Sequence, residues 1–228
     1  MRIYIGFREA LDEIKRDLKE MGTTVHPRTV QDQQVGGSEE DGTLELQNYI
    51  YCVTQGELSQ LKPTEPWVTA EWYERACGLL GDSVNPGTAW ELRRKVWEQF
   101  LHDGKFSYTY ADRFSRFDQY VRLLDRMLND PESRQLYLSV WDPSDIENIG
   151  GNARVPCTLG YLFQIRGDKL DITYLQRSAD FATHLENDIF LAHMLQRFMA
   201  TKIRKEPGKY FHWIGSLHVF KKDVKGVF

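Results

Sequence analysis

Cys157, which follows Pro156 and precedes a β-prone stretch, is the side chain best placed for nucleophilic chemistry. A thiolate suits attack on C6 of a pyrimidine, because addition there breaks the ring conjugation and leaves C5 enamine-like and nucleophilic. Arginines nearby would lower the thiol pKa. Position alone does not decide the matter, since a free cysteine is as a rule a small buried hydrophobe. Further along, Gln176-Arg177-Ser178-Ala179-Asp180 offers a guanidinium fork and a hydroxyl, which together suit a phosphate. An isolated Arg-Ser pair equally describes a surface ion pair. Asp180 also has two readings: acceptor for a ligand N–H, or cap of the segment after it. Together these groups are the parts needed to attack an electron-poor nucleotide ring and hold its phosphate.

Such groups need rigid elements behind them. A chain of 228 residues is long enough for one substantial core, and no stretch reads as an interdomain linker, so residues 1–228 are expected to form a single domain. The formal charge of -4 gives no global basic footprint. A nucleic acid polymer is therefore not an expected partner, whereas a local basic pocket for one phosphate is compatible with that charge. No apolar run reaches membrane-spanning length and the first residues lack a signal-peptide core, so a soluble, cytoplasmic protein with no membrane partner is expected. Cys52, Cys77 and Cys157 are an odd set without CxxC spacing, which argues against a disulfide framework or a zinc site. The histidines show no metal-like spacing. His184, between Asp180 and Asp188, is read as a structural or surface residue rather than a wall of the base pocket.

Hydrophobic periodicity predicts helices over residues 8–21, 67–80 and 89–101, the last two separated by the turn formers Gly81 to Gly87. Phe114, Phe117, Tyr120, Val121, Leu124, Met127 and Leu128 form a further helical stripe that stops at Asn129-Asp130-Pro131. Residues 25–35 read as extended, 32–43 as a polar loop and 48–53 as a strand. Strands are also predicted over 136–141, 158–165, 170–175 and 210–220, with a turn at Arg166-Gly167-Asp168-Lys169 and a largely buried helix over 188–200. The composite is α+β, with helices packed over a substantially antiparallel sheet.

Three stretches recur in an informative order: Arg154-Val155-Pro156-Cys157, then Gln176 to Asp180, then Gly215-Ser216-Leu217-His218-Val219-Phe220. This order resembles the signature stretches of the thymidylate synthase superfamily. Ser133-Arg134-Gln135 through Asp142-Pro143 is similar to its phosphate-arginine segment, and Trp97, Gly104 and Tyr110 to its Trp to Tyr-Gly stretch. The likeness is firm over about residues 130–220 and weaker over 1–110. It implies a thymidylate synthase-like fold with a largely antiparallel or mixed sheet, and a sheet-mediated homodimer with shared sites. It also implies a pyrimidine nucleoside monophosphate as substrate and 5,10-methylene-tetrahydrofolate as co-substrate. Under that resemblance Cys157 is the nucleophile and Tyr110 belongs to the proton-relay network. Arg177 and Ser178 hold the phosphate, Arg134 reaches the phosphate of the neighbouring subunit, and Arg28 matches a mobile phosphate arginine. Gln176 and Asp188 meet the base, His218 the sugar and Asp180 the pterin, with Trp97 stacking near it.

Departures from the pattern refine the expectation. Asp188 stands where thymidylate synthases carry an asparagine that reads uracil O4 and N3–H. A carboxylate accepts from the exocyclic amine of cytosine, or donates to N3 when protonated, but repels O4 of uracil, so cytosine is favoured. A plain helix-capping role for Asp188 stays open. Thr158 replaces a histidine, and Ser216 an aspartate. The combination resembles the deoxycytidylate and cytidylate hydroxymethylases of phages and nucleoside-antibiotic pathways, in which water captures the C5 methylene that thymidylate synthases reduce with hydride. Phe220 replaces a tyrosine whose hydroxyl contacts the sugar, which leaves CMP beside dCMP. Aligned on Trp72, the column of the catalytic glutamate falls on Thr69. Glu71, the neighbouring carboxylate about 200° further round a helix, is the catalytic candidate, and Glu65, one turn before Thr69, is the alternative. The resulting expectation is a (d)CMP 5-hydroxymethyltransferase. Its alternatives are thymidylate synthase-type reductive methylation and a nucleotide-binding homologue with reduced turnover.

Overall fold

A computed structural model describes residues 1–27, 42–150 and 153–228; Arg28 lies outside them. Seven strands form one sheet: β1 (Arg2–Tyr4), β2 (Thr23–Val25), β3 (Thr43–Val53), β4 (Tyr137–Ser139), β5 (Thr158–Arg166), β6 (Lys169–Asp180) and β7 (Glu206–Phe220). Their spatial order is β1-β3-β7-β6-β5-β4, with β2 also paired to β3. In β5, Tyr161, Phe163 and Ile165 are buried in alternation, the pattern of a strand with one face on a core. The turn to β6 is a two-residue hairpin connection, and Gly167 takes φ 60 there, a conformation that a hairpin turn of this kind requires.

The sheet is mixed and mainly antiparallel, as expected: β2 with β3, β3 with β7, β4 with β5 and β5 with β6 run antiparallel. Two pairings, β1 with β3 and β6 with β7, are parallel. Each is bridged by a helix laid over the same face, as parallel neighbours require. α1 (Phe7–Met21) buries a single stripe of Phe7, Ala10, Leu11, Ile14 and Leu18, whereas α6 (Leu185–Lys202) is buried on most sides. The remaining α-helices among the described residues are α2 (Trp67–Leu79), α3 (Arg94–Trp97), α4 (Tyr110–Ser115), α5 (Gln119–Asn129) and α7 (Lys221–Val227). No helix among the described residues is long and apolar enough to cross a membrane.

Two predicted helices are broken. Residues 89–101 form a 3-10 turn (Ala89–Arg93), then α3, then a second 3-10 turn (Glu98–Phe100). Within those elements only Ala89 and Phe100 are buried, so no continuous face holds a long helix together. The stripe expected from Phe114 to Leu128 is interrupted at Phe117 and Asp118, whose φ values are 58 and 53. Phe117 turns outward, 77% exposed. Gln119 secures the break: its amide donates to the carbonyls of Arg113 and Ser139 and accepts from the Ser139 N–H.

Register across the sheet places Tyr51, His212, Tyr174, Tyr161 and Leu138 in one row on the core face. His212 stacks on Tyr174 at 4.5 Å and Tyr174 on Tyr161 at 5.0 Å, both tilted by 16°. The opposite face carries Ile3, Cys52, Phe211, Thr173, Leu162 and Tyr137 in a matching row. Ile50 and Leu175 flank Trp213 on that same face.

Candidate active site

The ends of β5, β6 and β7 meet the start of α6, α2 and the α3 region around a cleft. Cys157 lies on its wall, immediately before β5. The Arg177 N–H donates to the Cys157 carbonyl at 2.6 Å, which brings the Arg177 guanidinium within 3.8 Å of the sulfur. Burial pushes the Cys157 thiol pKa up, and Arg177 and Arg154 pull against it while Asp188 and Asp180 add to it. Ser178, the next residue of β6, faces the cleft. Arg134 is exposed and is not among the residues that line the cleft.

Asp188 faces the cleft from the first turn of α6. It does not cap that helix, whose N-cap is His184. Its carboxylate accepts instead from the Gln176 amide at 2.7 Å. Burial raises its pKa to about 6, with Gln176 and Arg75 opposing the shift and Glu71 reinforcing it. Gln176, expected at the base, stands behind Asp188: it is 1% exposed, and its oxygen meets His212 Nε2 at 3.0 Å.

On α2, Thr69 turns away and donates to Glu65 at 3.0 Å. Glu71 lines the cleft and pairs with Arg75 at 2.8 Å. Of the two, Glu71 and not Thr69 lines the cleft, and Trp72 beside it packs edge-on against Phe198 at 5.9 Å. Arg75 is 4% exposed and lies over the Tyr110 ring, 3.5 Å from its centre. Tyr110 shares a hydrogen bond of 2.8 Å with Thr158, and Thr158 one of 2.7 Å with Tyr174. Thr158 is thus a fully buried link between two phenols.

Asp180 and His218 also line the cleft, from the last turns of β6 and β7. Asp180 accepts from the Ala182 N–H at 3.0 Å and from the Thr183 hydroxyl, leaving lone pairs free for a further donor. Trp97, Trp67, Trp90, Phe106 and Tyr108 form aromatic walls. One face of Trp97 carries the Arg154 guanidinium, 4.0 Å from its centre. His184 is a cleft residue rather than a surface one, its ring 5.8 Å from Trp97 and its pKa lowered to about 4, by burial first and Arg93 next. Among the described residues no group of three His, Cys, Asp or Glu side chains could hold a metal ion.

Arg75, Arg154 and His184 are the site residues that sequence reasoning missed or undervalued. Arg75 had a signal, the i,i+4 spacing from Glu71. Arg154 sits within the motif that contains Cys157, and only the fold shows that it bends back onto Trp97.

A cysteine beside an arginine, a carboxylate and aromatic walls are thus set together around one cleft at strand ends of an α+β sheet. The sequence profile described as Thymidylate synthase matches residues 59–228, and the chain belongs to the thymidylate synthase family. It is 31% identical over 131 residues to the bifunctional dihydrofolate reductase-thymidylate synthase of Zea mays, covering 57% of this chain and 25% of that protein. It is 26% identical over 135 residues to the thymidylate synthase of Mycoplasma genitalium, covering 55% of this chain and 46% of that one. The matched parts thus span half or less of these relatives' own length. The fold is that of thermostable thymidylate synthase A from Bacillus subtilis, with a TM-score of 0.77 and 20% identity over 97% of this chain and 82% of that chain.

Proposed function

We propose that this protein transfers a one-carbon unit from 5,10-methylene-tetrahydrofolate to C5 of a cytidine monophosphate, dCMP or CMP, and that water completes the reaction to give the 5-hydroxymethyl nucleotide. Family membership supports one-carbon transfer to a pyrimidine nucleotide. The observation that carries the choice of base is Asp188, a carboxylate at the cleft with one oxygen held by Gln176. An acceptor there suits the exocyclic amine of cytosine and repels the O4 of uracil.

Arg177 and Ser178 would hold the phosphate, with the charge-assisted fork setting the nucleotide above Cys157. Cys157, as thiolate, adds to C6, and C5 becomes the carbon nucleophile. Glu71, or a water it orients beside Tyr110, is the base placed to accept the C5 proton. The residues fit a pterin co-substrate: aromatic walls for a flat ring, and free acceptor capacity on Asp180 for its N–H donors. When bound, that co-substrate supplies carbon at the oxidation level of formaldehyde, so capture by water leaves no net redox change. The half-buried apolar row on the outer face of the sheet supports pairing of two copies, and exposed Arg134 supports a phosphate contact across that pair.

Reductive methylation is the second reading, favoured by the names of the relatives. One experiment separates the readings. The protein is incubated with dCMP, CMP or dUMP and methylene-tetrahydrofolate, the products are weighed by mass spectrometry, and dihydrofolate is followed by absorbance. A hydroxymethyl adduct on a cytidylate without dihydrofolate is the expected result. A methyl product with stoichiometric dihydrofolate selects the second reading, and no C5 adduct on any nucleotide overturns both.

A further inference from the structure

Behind Asp188 runs a buried line of hydrogen bonds that the reaction itself does not use. Gln176 Nε2 lies 2.7 Å from Asp188 Oδ2, Gln176 Oε1 lies 3.0 Å from His212 Nε2, and His212 Nδ1 lies 2.9 Å from the Tyr51 hydroxyl. Gln176, His212 and Tyr51 are all at most 1% exposed, so water does not offer alternative partners. Donor and acceptor chemistry fixes the sense of the whole line. An ionised carboxylate only accepts, so the Gln176 amide must present its nitrogen to Asp188 and its oxygen to His212. His212 must then carry its proton on Nε2, and Nδ1 must accept from Tyr51. Each donor points toward Asp188.

We propose that His212, backed by Tyr51, is a positioning residue for base recognition: it locks the Gln176 amide so that Asp188 commits one oxygen inward as an acceptor and, ionised, offers the other to the exocyclic amine of cytosine. This rests on the cytosine reading of the cleft. Because Oδ2 is committed as an acceptor to Gln176, a proton taken up by the carboxyl sits on its other oxygen, and the donation from Gln176 favours the ionised form that accepts from the amine. The neutral state of His212 suits the role, since burial lowers its pKa to about 3. The imidazole is also held in plane by Tyr174, stacked on it at 4.5 Å.

Other groups bear on Asp188 from every side. Arg75 and Glu71 reach it from α2 and Arg93 from the turn before α3. Cys157 faces it from the start of β5, Tyr110 from α4, and Tyr161 and Tyr174 from the sheet. Arg75 is already paired to Glu71, and the Gln176 amide donates the hydrogen bond to the carboxylate.

The test compares the parent with His212→Phe, His212→Gln and Tyr51→Phe. Dissociation constants for dCMP and dUMP are measured by titration calorimetry from mildly acid to neutral pH, alongside thermal unfolding. The parent should prefer dCMP, and lose that preference as pH falls through the Asp188 titration. In His212→Phe the dCMP/dUMP ratio should fall about tenfold, the scale of one charge-assisted hydrogen bond, and the pH midpoint of dCMP binding should rise. His212→Gln keeps an N–H aimed at Gln176 and should recover most of the ratio. Tyr51→Phe should shift the midpoint in the same direction by a smaller amount, and it carries the test if His212→Phe does not fold. A folded His212→Phe or Tyr51→Phe with the parent's ratio and midpoint overturns the relay and leaves the cytosine reading intact. A parent that binds dUMP as well as dCMP overturns the cytosine reading, and the relay with it.

Discussion

Asp188 is charged where burial disfavours charge, and the two effects have opposite signs for function and for stability. Its pKa of about 6 against an ordinary 3.8 means that, between those values, the folded protein holds a proton that the unfolded chain has released. Stability therefore falls as pH rises through that window. Asp188→Asn should raise the melting temperature at neutral pH, with the gain vanishing in acid, while turning nucleotide preference from cytidylate toward uridylate. Thermal unfolding against pH and a pair of binding titrations read the two effects separately. Cys157 is similarly opposed by its surroundings. Arg154 is one of two cations that offset burial of the thiol, and it does so from a perch on Trp97. In Arg154→Leu, alkylation of Cys157 by iodoacetamide should slow about threefold at neutral pH, because the thiolate fraction drops. Equal rates in parent and variant would remove Arg154 from thiol activation.

At the scale of elements, α2 joins the core to the cleft. Arg75 is nine-tenths buried and more, so removing it strands Glu71 beside Asp188. Arg75→Ala is expected to cost about 3–5 kcal/mol in denaturant unfolding, whereas Glu71→Gln with Arg75→Met should recover much of that loss while abolishing turnover. Gly78, one turn further on, admits α4: a Cβ there would meet the Ala111 backbone, and Ala111 adjoins Tyr110. Gly78→Ala should therefore lower both stability and transfer rate. Of the elements that sequence periodicity located, α1 buries one continuous face, strands β5 to β7 bury an alternating one, and α6 is buried on most sides. Residues 89–101 have no such face, and the stripe through Phe117 is cut by Gln119, a tertiary contact invisible to periodicity. Cys157, Tyr110, Ser178, Asp180, Asp188 and His218 do converge on one cleft as the motifs implied. That Glu71, legible as the carboxylate beside Thr69, faces the cleft required the packing of α2 against the strand ends, and the place of Gln176 required the register that sets His212 behind it. Both depend on contacts between segments far apart in the chain.

At the scale of the molecule, the sheet has a working face and an outer one, and β7 serves both. Phe211 and Trp213 belong to the outer row, His212 to the row beneath Asp188, and His218 to the cleft. Trp213→Glu should therefore hold the chain as a monomer in sedimentation velocity where the parent sediments as a dimer, and should lose transfer activity while keeping its circular dichroism spectrum. A parent that sediments as a monomer would remove the shared-site reading of Arg134. The ordering of β7 also sets how its sequence can drift. A surface strand tolerates substitution at every second position, but from Tyr210 to Ile214 this strand alternates between a side packed on the core and a half-buried apolar side that carries Phe211 and Trp213, and Leu217 beyond it is again buried in the core. A saturation scan of β7 should show a block of intolerance that begins after Gly208 and Lys209, at Tyr210, and that block should be among the slowest stretches of this chain to diverge.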